Sequence, residues 1–206
     1  MLKKVDVPEG ISGDWKIERF EVTKEDADFH RMRCAFRGRM HRVIPAGTYT
    51  RLTHNGSVIM SDTPVELSGH LAAYHLARGH VLVNGLGLGM YVDNILDKKE
   101  VEHVTVVEIS QDVIGLVEPH LREKHGSSRL DILCGDAYTY KWPRGKTFDY
   151  AWHDIWPDIC EDNLEGMTRL HRRYGRRVKS QGSWSFGETR RIREGRRRER
   201  LIWGLR

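Results

Sequence analysis

Cysteine is scarce. The chain has only Cys34, Cys134 and Cys160 in 206 residues, an odd and widely spaced set. That excludes a disulfide framework and suits reduced thiols. Neither Cys-x-x-Cys nor His-Glu-x-x-His occurs, so the common zinc signatures are missing and no metal is expected. The eleven histidines do not change this. His70, His75 and His80 recur every fifth residue, and on a helix that spacing turns each well away from the last. Long apolar runs are also lacking. Nothing approaches the roughly 20 apolar residues of a membrane helix. The first residues, Met-Leu-Lys-Lys-Val-Asp-Val-Pro, carry no apolar signal-peptide segment. A cytoplasmic protein with no membrane partner is expected.

What the chain does have is charge, unevenly placed. Residues 161–206 hold 14 Arg and Lys against 6 Asp and Glu, a net of +8, so the first 160 residues carry −3 of the overall +5. An arginine-rich end is either a solvated surface or a contact for nucleic acid.

Residues 1–62 read as β-rich. Trp15–Val22 alternates apolar and polar residues, Met32–Val43 is a second, noisier strand candidate, and Asn55-Gly56 separates two strand-like runs as a hairpin turn does. Thr63-Pro64-Val65-Glu66 then has the form of a helix start with a capping box. From there helices alternate with short apolar runs at 81–84, 104–108, 130–134 and 148–153. Pro119 should kink or split the helix it occupies, Gln181–Phe186 is a candidate short strand, and Thr189–Leu201 a basic helix. This rhythm predicts an α/β fold: a Rossmann-like, doubly wound, mostly parallel sheet behind a small antiparallel β region. The expected division is 1–62 for the β-rich region, 63–180 for the Rossmann-like domain and 181–206 for the basic segment.

The richest stretch is Val81-Leu82-Val83-Asn84-Gly85-Leu86-Gly87-Leu88-Gly89. A buried strand gives way to three glycines at alternate positions, then to a helix, an arrangement that lets backbone approach a nucleotide-like ligand. Acids follow at the carboxyl ends of the next strands. Glu108 lies 19 residues past Gly89, where a carboxylate accepts both hydroxyls of a ribose. Asp136 is placed for an adenine amino group, and Asp154 faces the reacting part of a ligand. His153, one residue earlier, should point to the opposite face of its strand.

These residues resemble the S-adenosylmethionine-dependent methyltransferase superfamily, and within it the spermidine-synthase-like branch, over roughly residues 45–165. Methyltransferases commonly carry an acid two residues before the first glycine; Val83 stands there, as an apolar residue does in that branch. Val-Thr-Val-Val-Glu-Ile at 104–109, Gly-Asp-Ala at 135–137 and Met60-Ser61-Asp62 are similar to it as well. The resemblance implies a truncated methyltransferase fold binding S-adenosylmethionine or its decarboxylated form. Asn84, Gly85, Leu86, Gly87, Gly89, Glu108, Ile109, Asp136 and Ala137 would hold that cofactor, and Asp154 would be catalytic, accepting a proton from an attacking amine. Trp156 and Asp158 are the candidate substrate residues. The aminopropyltransferases follow their aspartate with a Ser/Thr-rich stretch and a further acid, whereas Asp154-Ile155-Trp156-Pro157-Asp158 is bulkier. Methyl transfer is therefore the leading expectation, to a small-molecule or nucleic-acid acceptor. Aminopropyl transfer to a diamine is the first alternative. A non-catalytic nucleoside-binding module with a nucleic-acid-binding tail is the second, and a homo-oligomer is open to all three.

Overall fold

The structure, a computed structural model describing residues 2–203, contains two sheets. The first is antiparallel: β1 (Gly10–Ser12), β2 (Trp15–Val22), β3 (Gly47–His54) and β4 (Ser57–Ser61), in that order. Asn55 and Gly56 join β3 to β4 with φ of 49° and 76°, the hand that matches the twist of the strands it links. The expected strand over Met32–Val43 is a correction. Those residues end a helix, α1 (Lys24–Phe36), and make one 3-10 turn at Met40–Arg42. The reason lies upstream. The Asp26 amide donates to Thr23 Oγ1 (3.1 Å) and the Thr23 amide to the Asp26 carboxylate (3.2 Å), closing a capping box that starts the helix. Met32, Cys34 and Phe36 alternate in sequence but spread around that helix, and Cys34 alone of the three is buried.

The single helix expected after Thr63 is two, α2 (Pro64–Gly69) and α3 (Leu71–Leu76), broken at His70 where Gly69 weakens the helix. Thr63 makes no side-chain cap. Glu66 instead accepts the Ser61 amide (2.8 Å) and hydroxyl (2.9 Å), which ties α2 to the end of β4.

The second sheet is parallel throughout, with β5 (Gly79–Asn84), β6 (Val101–Glu108), β7 (Leu130–Cys134), β8 (Phe148–His153) and β9 (Val178–Ser183) in the order β7-β6-β5-β8-β9. Helices α4 (Met90–Leu96), α5 (Gln111–His125), α6 (Asn163–Tyr174) and α7 (Phe186–Trp203) connect and follow these strands. This is the Rossmann-like α/β architecture. Val81, Leu82, Val83, Val104, Val106 and Ala151 are at most 1% exposed, as apolar runs in a sheet covered on both faces must be. Strand order reverses beside β5, so the switch point, where ligands bind in such folds, falls between the carboxyl ends of β5 and β8.

Pro119 does not split α5, which runs unbroken through it. An internal proline costs about 3 kcal/mol. Burying Val113, Ile114, Val117 and Leu121 offsets this at about 1.5–3 kcal/mol each. The strand expected at Gln181–Phe186 begins earlier, at Val178, and extends the parallel sheet across the 180/181 boundary drawn on the sequence. The basic helix is α7. It meets α6 through Phe186 against His171 (ring centroids 5.2 Å apart) and through Arg196 on Glu161 (2.6 Å), and Arg42 pairs with Glu188. The last three residues of the arginine-rich segment lie outside the described residues.

Candidate active site

At the carboxyl edge of the parallel sheet lies a cleft of about 550 Å³, within the roughly 300–1,000 Å³ of small-molecule sites. Gly85, Leu86 and Gly87 form its floor. Gly85 has φ 94°, and a Cβ there would come within 2.0 Å of the Asp154 carbonyl oxygen. Gly87 has φ 52°, and a Cβ there would come within 2.1 Å of Met60 Sδ. The glycines thus bring backbone against a neighbouring strand end and leave no side chain in the way. Gly85→Ala is expected to lower stability by about 2–4 kcal/mol, because the strain of the positive φ adds to a clash with backbone that cannot swing aside. A thermal midpoint within a degree of wild type would refute it.

Glu108 closes the β6 side of the cleft and is 8% exposed. One carboxylate oxygen accepts the Leu86 amide (2.8 Å) and the other the Ser110 amide (2.8 Å), so this residue fixes the glycine loop to the start of α5. Ile109, 70% exposed, stands at the rim. Gly135, Asp136 and Ala137 line the β7 side. Asp136 accepts the Tyr138 amide (2.7 Å), an Asx turn that aims the carboxylate without occupying all its lone pairs.

Asp154 follows β8, and its amide donates to the Asn84 carbonyl (2.8 Å). Its side chain is 19% exposed into the cleft. Burial pushes its carboxyl up to about 7, and the Glu66 carboxylate raises it further in the same direction. Burial also raises Glu66, against the lowering effect of its bonds to Ser61. His70, 2% exposed, stands 3.6 Å from Asp154. Burial pulls the imidazole down to about 4, so at neutral pH the pair is a neutral imidazole beside a carboxyl, not an ion pair. His70 Nδ1 is buried without a partner among the described residues. Its ring packs on Tyr91 (5.7 Å) and edge-on to Trp152 (5.9 Å). The remaining wall comes from the small sheet and the chain after β9. Trp15, stacked on His54 at 4.3 Å, together with Met60 and Trp184, faces the sheet edge.

Several expected residues stand elsewhere. Asn84 is fully buried, and its side-chain amide meets His153 (2.7 Å) below the cleft. His153 in turn meets Gln181 (3.0 Å), on the side of the strand away from Asp154. Gly89 begins α4, and a Cβ there would come within 2.7 Å of Val117, which makes it a helix-packing glycine. Asp158 is exposed and holds the Asn163 side chain through its carbonyl (2.8 Å). Trp156 does line the cleft, its indole against Tyr138. Glu66 and His70 join the site without having been expected there, although their i, i+4 spacing is visible in the sequence. Trp15 and Trp184 carry no such signal.

No protein-family model matches the chain. Curated relatives include polyamine aminopropyltransferase 2 of Hyperthermus butylicus, 37% identical over 70 residues (32% of this chain, 23% of the relative). A second is the polyamine aminopropyltransferase of Aeropyrum pernix, 29% identical over 149 residues (63% and 46%). The chain is similar to the aminopropyltransferases, and so to the spermidine-synthase-like branch. The matches span less than half the length of these relatives. Among solved structures, an S-adenosylmethionine-dependent methyltransferase from Clostridium acetobutylicum overlaps 55% of this chain and 44% of its own at 14% identity, with a TM-score of 0.40.

Proposed function

We propose that the cleft binds an adenosyl sulfonium donor, S-adenosylmethionine or its decarboxylated form, and that the chain transfers a carbon group from it to an amine. The residues present fit such a donor. Gly85 and Gly87 leave a cradle that a Cβ would fill, and Glu108 and Asp136 supply carboxylates for hydroxyl and amino groups. The donor, when bound, supplies an electrophilic carbon next to positively charged sulfur. Asp154 takes the proton released as the amine nitrogen bonds to that carbon and the carbon–sulfur bond breaks. A carboxyl poised near 7 suits a base working at neutral pH. Trp15 and Trp184 keep water from the reacting atoms, and the neutral His70 leaves Asp154 and Glu66 as the groups that attract a cation there.

Aminopropyl transfer to a diamine is the reading supported best, and the paired carboxylates Asp154 and Glu66 carry it. A dication entering the cleft meets two acids and the faces of tryptophans, both attractive to ammonium groups. The named relatives support the same reading. Methyl transfer is the second reading, favoured by the bulk of Ile155 and Trp156 immediately after Asp154, which narrows the acceptor side. Incubation with putrescine and either donor, followed by mass spectrometry of the amine, separates them. A gain of one aminopropyl unit from the decarboxylated donor is expected. A gain of a methyl group from S-adenosylmethionine would replace the first reading with the second, and no product with either donor would refute both. The positive surplus of residues 161–206 supports, as a separate surface property, a salt-sensitive contact with nucleic acid.

A further inference from the structure

Helix α1 has an apolar stripe turned away from the body of the protein. Phe29, Met32 and Phe36 are 60%, 56% and 86% exposed, while the helix is held to the body by Ala27 and Cys34. At 100° per residue, Glu25, Phe29, Met32 and Phe36 lie on the face opposite Ala27 and Cys34. Isolated exposed apolar residues are ordinary, whereas a row at i, i+3, i+7 is a helix-packing surface. The charges on α1 are sorted by end. Glu25, Asp26 and Asp28 stand in its first half; Arg31, Arg33, Arg37 and Arg39 stand in or just after its second. All are exposed, and the contact between the two groups is a long one, Asp28 with Arg31 at 4.0 Å.

We propose that α1 is the interface of a two-fold homodimer, in which the helix packs antiparallel on α1 of a second copy. The order of residues is what selects this partner. With Met32 on the axis against Met32 of the other copy, Phe29 falls opposite Phe36, Asp28 opposite Arg37 and Glu25 opposite Arg39, each contact made twice. A surface that complements itself when reversed is what a two-fold interface requires. A parallel pair would set acid on acid and arginine on arginine. A helix of 13 residues is only about 20 Å long, so one helix pair falls short of the roughly 800 Å² per partner of a standard interface. The dimer is therefore weak, dissociates in the micromolar range, and its charged contacts are salt-sensitive. The donor cleft is not part of this interface, so the dimer and the proposed activity stand or fall separately.

Sedimentation velocity on the full chain, from low micromolar to submillimolar concentration at low salt, tests it. A mass rising from monomer toward dimer is expected for wild type, and monomer throughout for Phe29→Glu/Phe36→Glu. Both side chains are exposed, so an unchanged circular-dichroism spectrum is expected of the variant. Independently, Asp28→Arg and Arg37→Asp should each weaken the dimer at least tenfold, and the double exchange should restore it. Wild type that stays monomeric at every concentration overturns the proposal. So does a dimer unaffected by the glutamates, a double exchange that does not restore pairing, or a monomer that uses Phe29 and Phe36 to bind anionic lipid vesicles.

Discussion

Asp154→Asn is expected to lower turnover by about 10²–10⁴-fold, the usual contribution of a positioned general base, while donor affinity stays within a few fold. Asparagine keeps the shape of the side chain and its place behind β8 but cannot accept the amine proton. The pH dependence has a definite sign. Asp154 rises from 3.8 to about 7 in the fold, through burial first and the charge of Glu66 second. The base form is therefore absent in acid, and kcat/KM should climb as pH rises through about 7, then level off; the variant should lose that limb. Stability responds in the opposite sense. A carboxyl whose folded pKa is raised favours the fold while it is neutral, and that contribution is lost as pH rises from about 4 through about 7. Asp154→Asn should thus melt at a higher temperature than wild type at about pH 8, with the difference closing toward about pH 4. Turnover within twofold of wild type, or a variant destabilised at alkaline pH, would remove Asp154 from the role.

The donor half of this cleft is legible in the sequence for a geometric reason. Parallel strands all end at one edge, so a residue placed just after each apolar run must face the same space. Gly85, Glu108, Asp136 and Asp154 need no more than that. The acceptor half is not legible, because it is assembled from segments far apart in the chain. Glu66 and His70 reach Asp154 only because α2 breaks at His70 and folds onto the sheet edge, and Trp15 arrives from the second strand of a different sheet. Asn84 misleads for the converse reason. It ends the strand before the glycine loop, yet alternation turns its side chain down onto His153. Helix α1 misleads through its stripe. Alternate apolar residues from Met32 read as a half-buried strand, but the apolar side chains point outward and the cap at Thr23 decides the conformation. The sheet order and the acids on its edge follow from local pattern; the reach of one sheet over the other does not.

Glu108→Ala is expected to weaken donor binding by two orders of magnitude or more. Each Glu108 oxygen already accepts one backbone amide, from Leu86 or Ser110, and each retains a second lone-pair position for a ribose hydroxyl. Hydrogen bonds to a charged group contribute about 1.5–3 kcal/mol each, so losing two is worth about 10²–10⁴ in affinity. Alanine also leaves the Leu86 and Ser110 amides without their partner, at about 1–3 kcal/mol apiece where they are buried, and the glycine loop loosens with them. Fold and binding must therefore be read separately. Glu108→Gln keeps an oxygen for one amide and sets an NH2 group against the other, which removes the charge and half of the clamp while retaining the volume. Calorimetric titration with both donor forms, alongside thermal midpoints, should show Glu108→Gln losing most of the affinity with only a few degrees of stability. If the glutamine variant binds as wild type does, Glu108 serves only to brace the loop, and the ribose must be held by something other than this carboxylate.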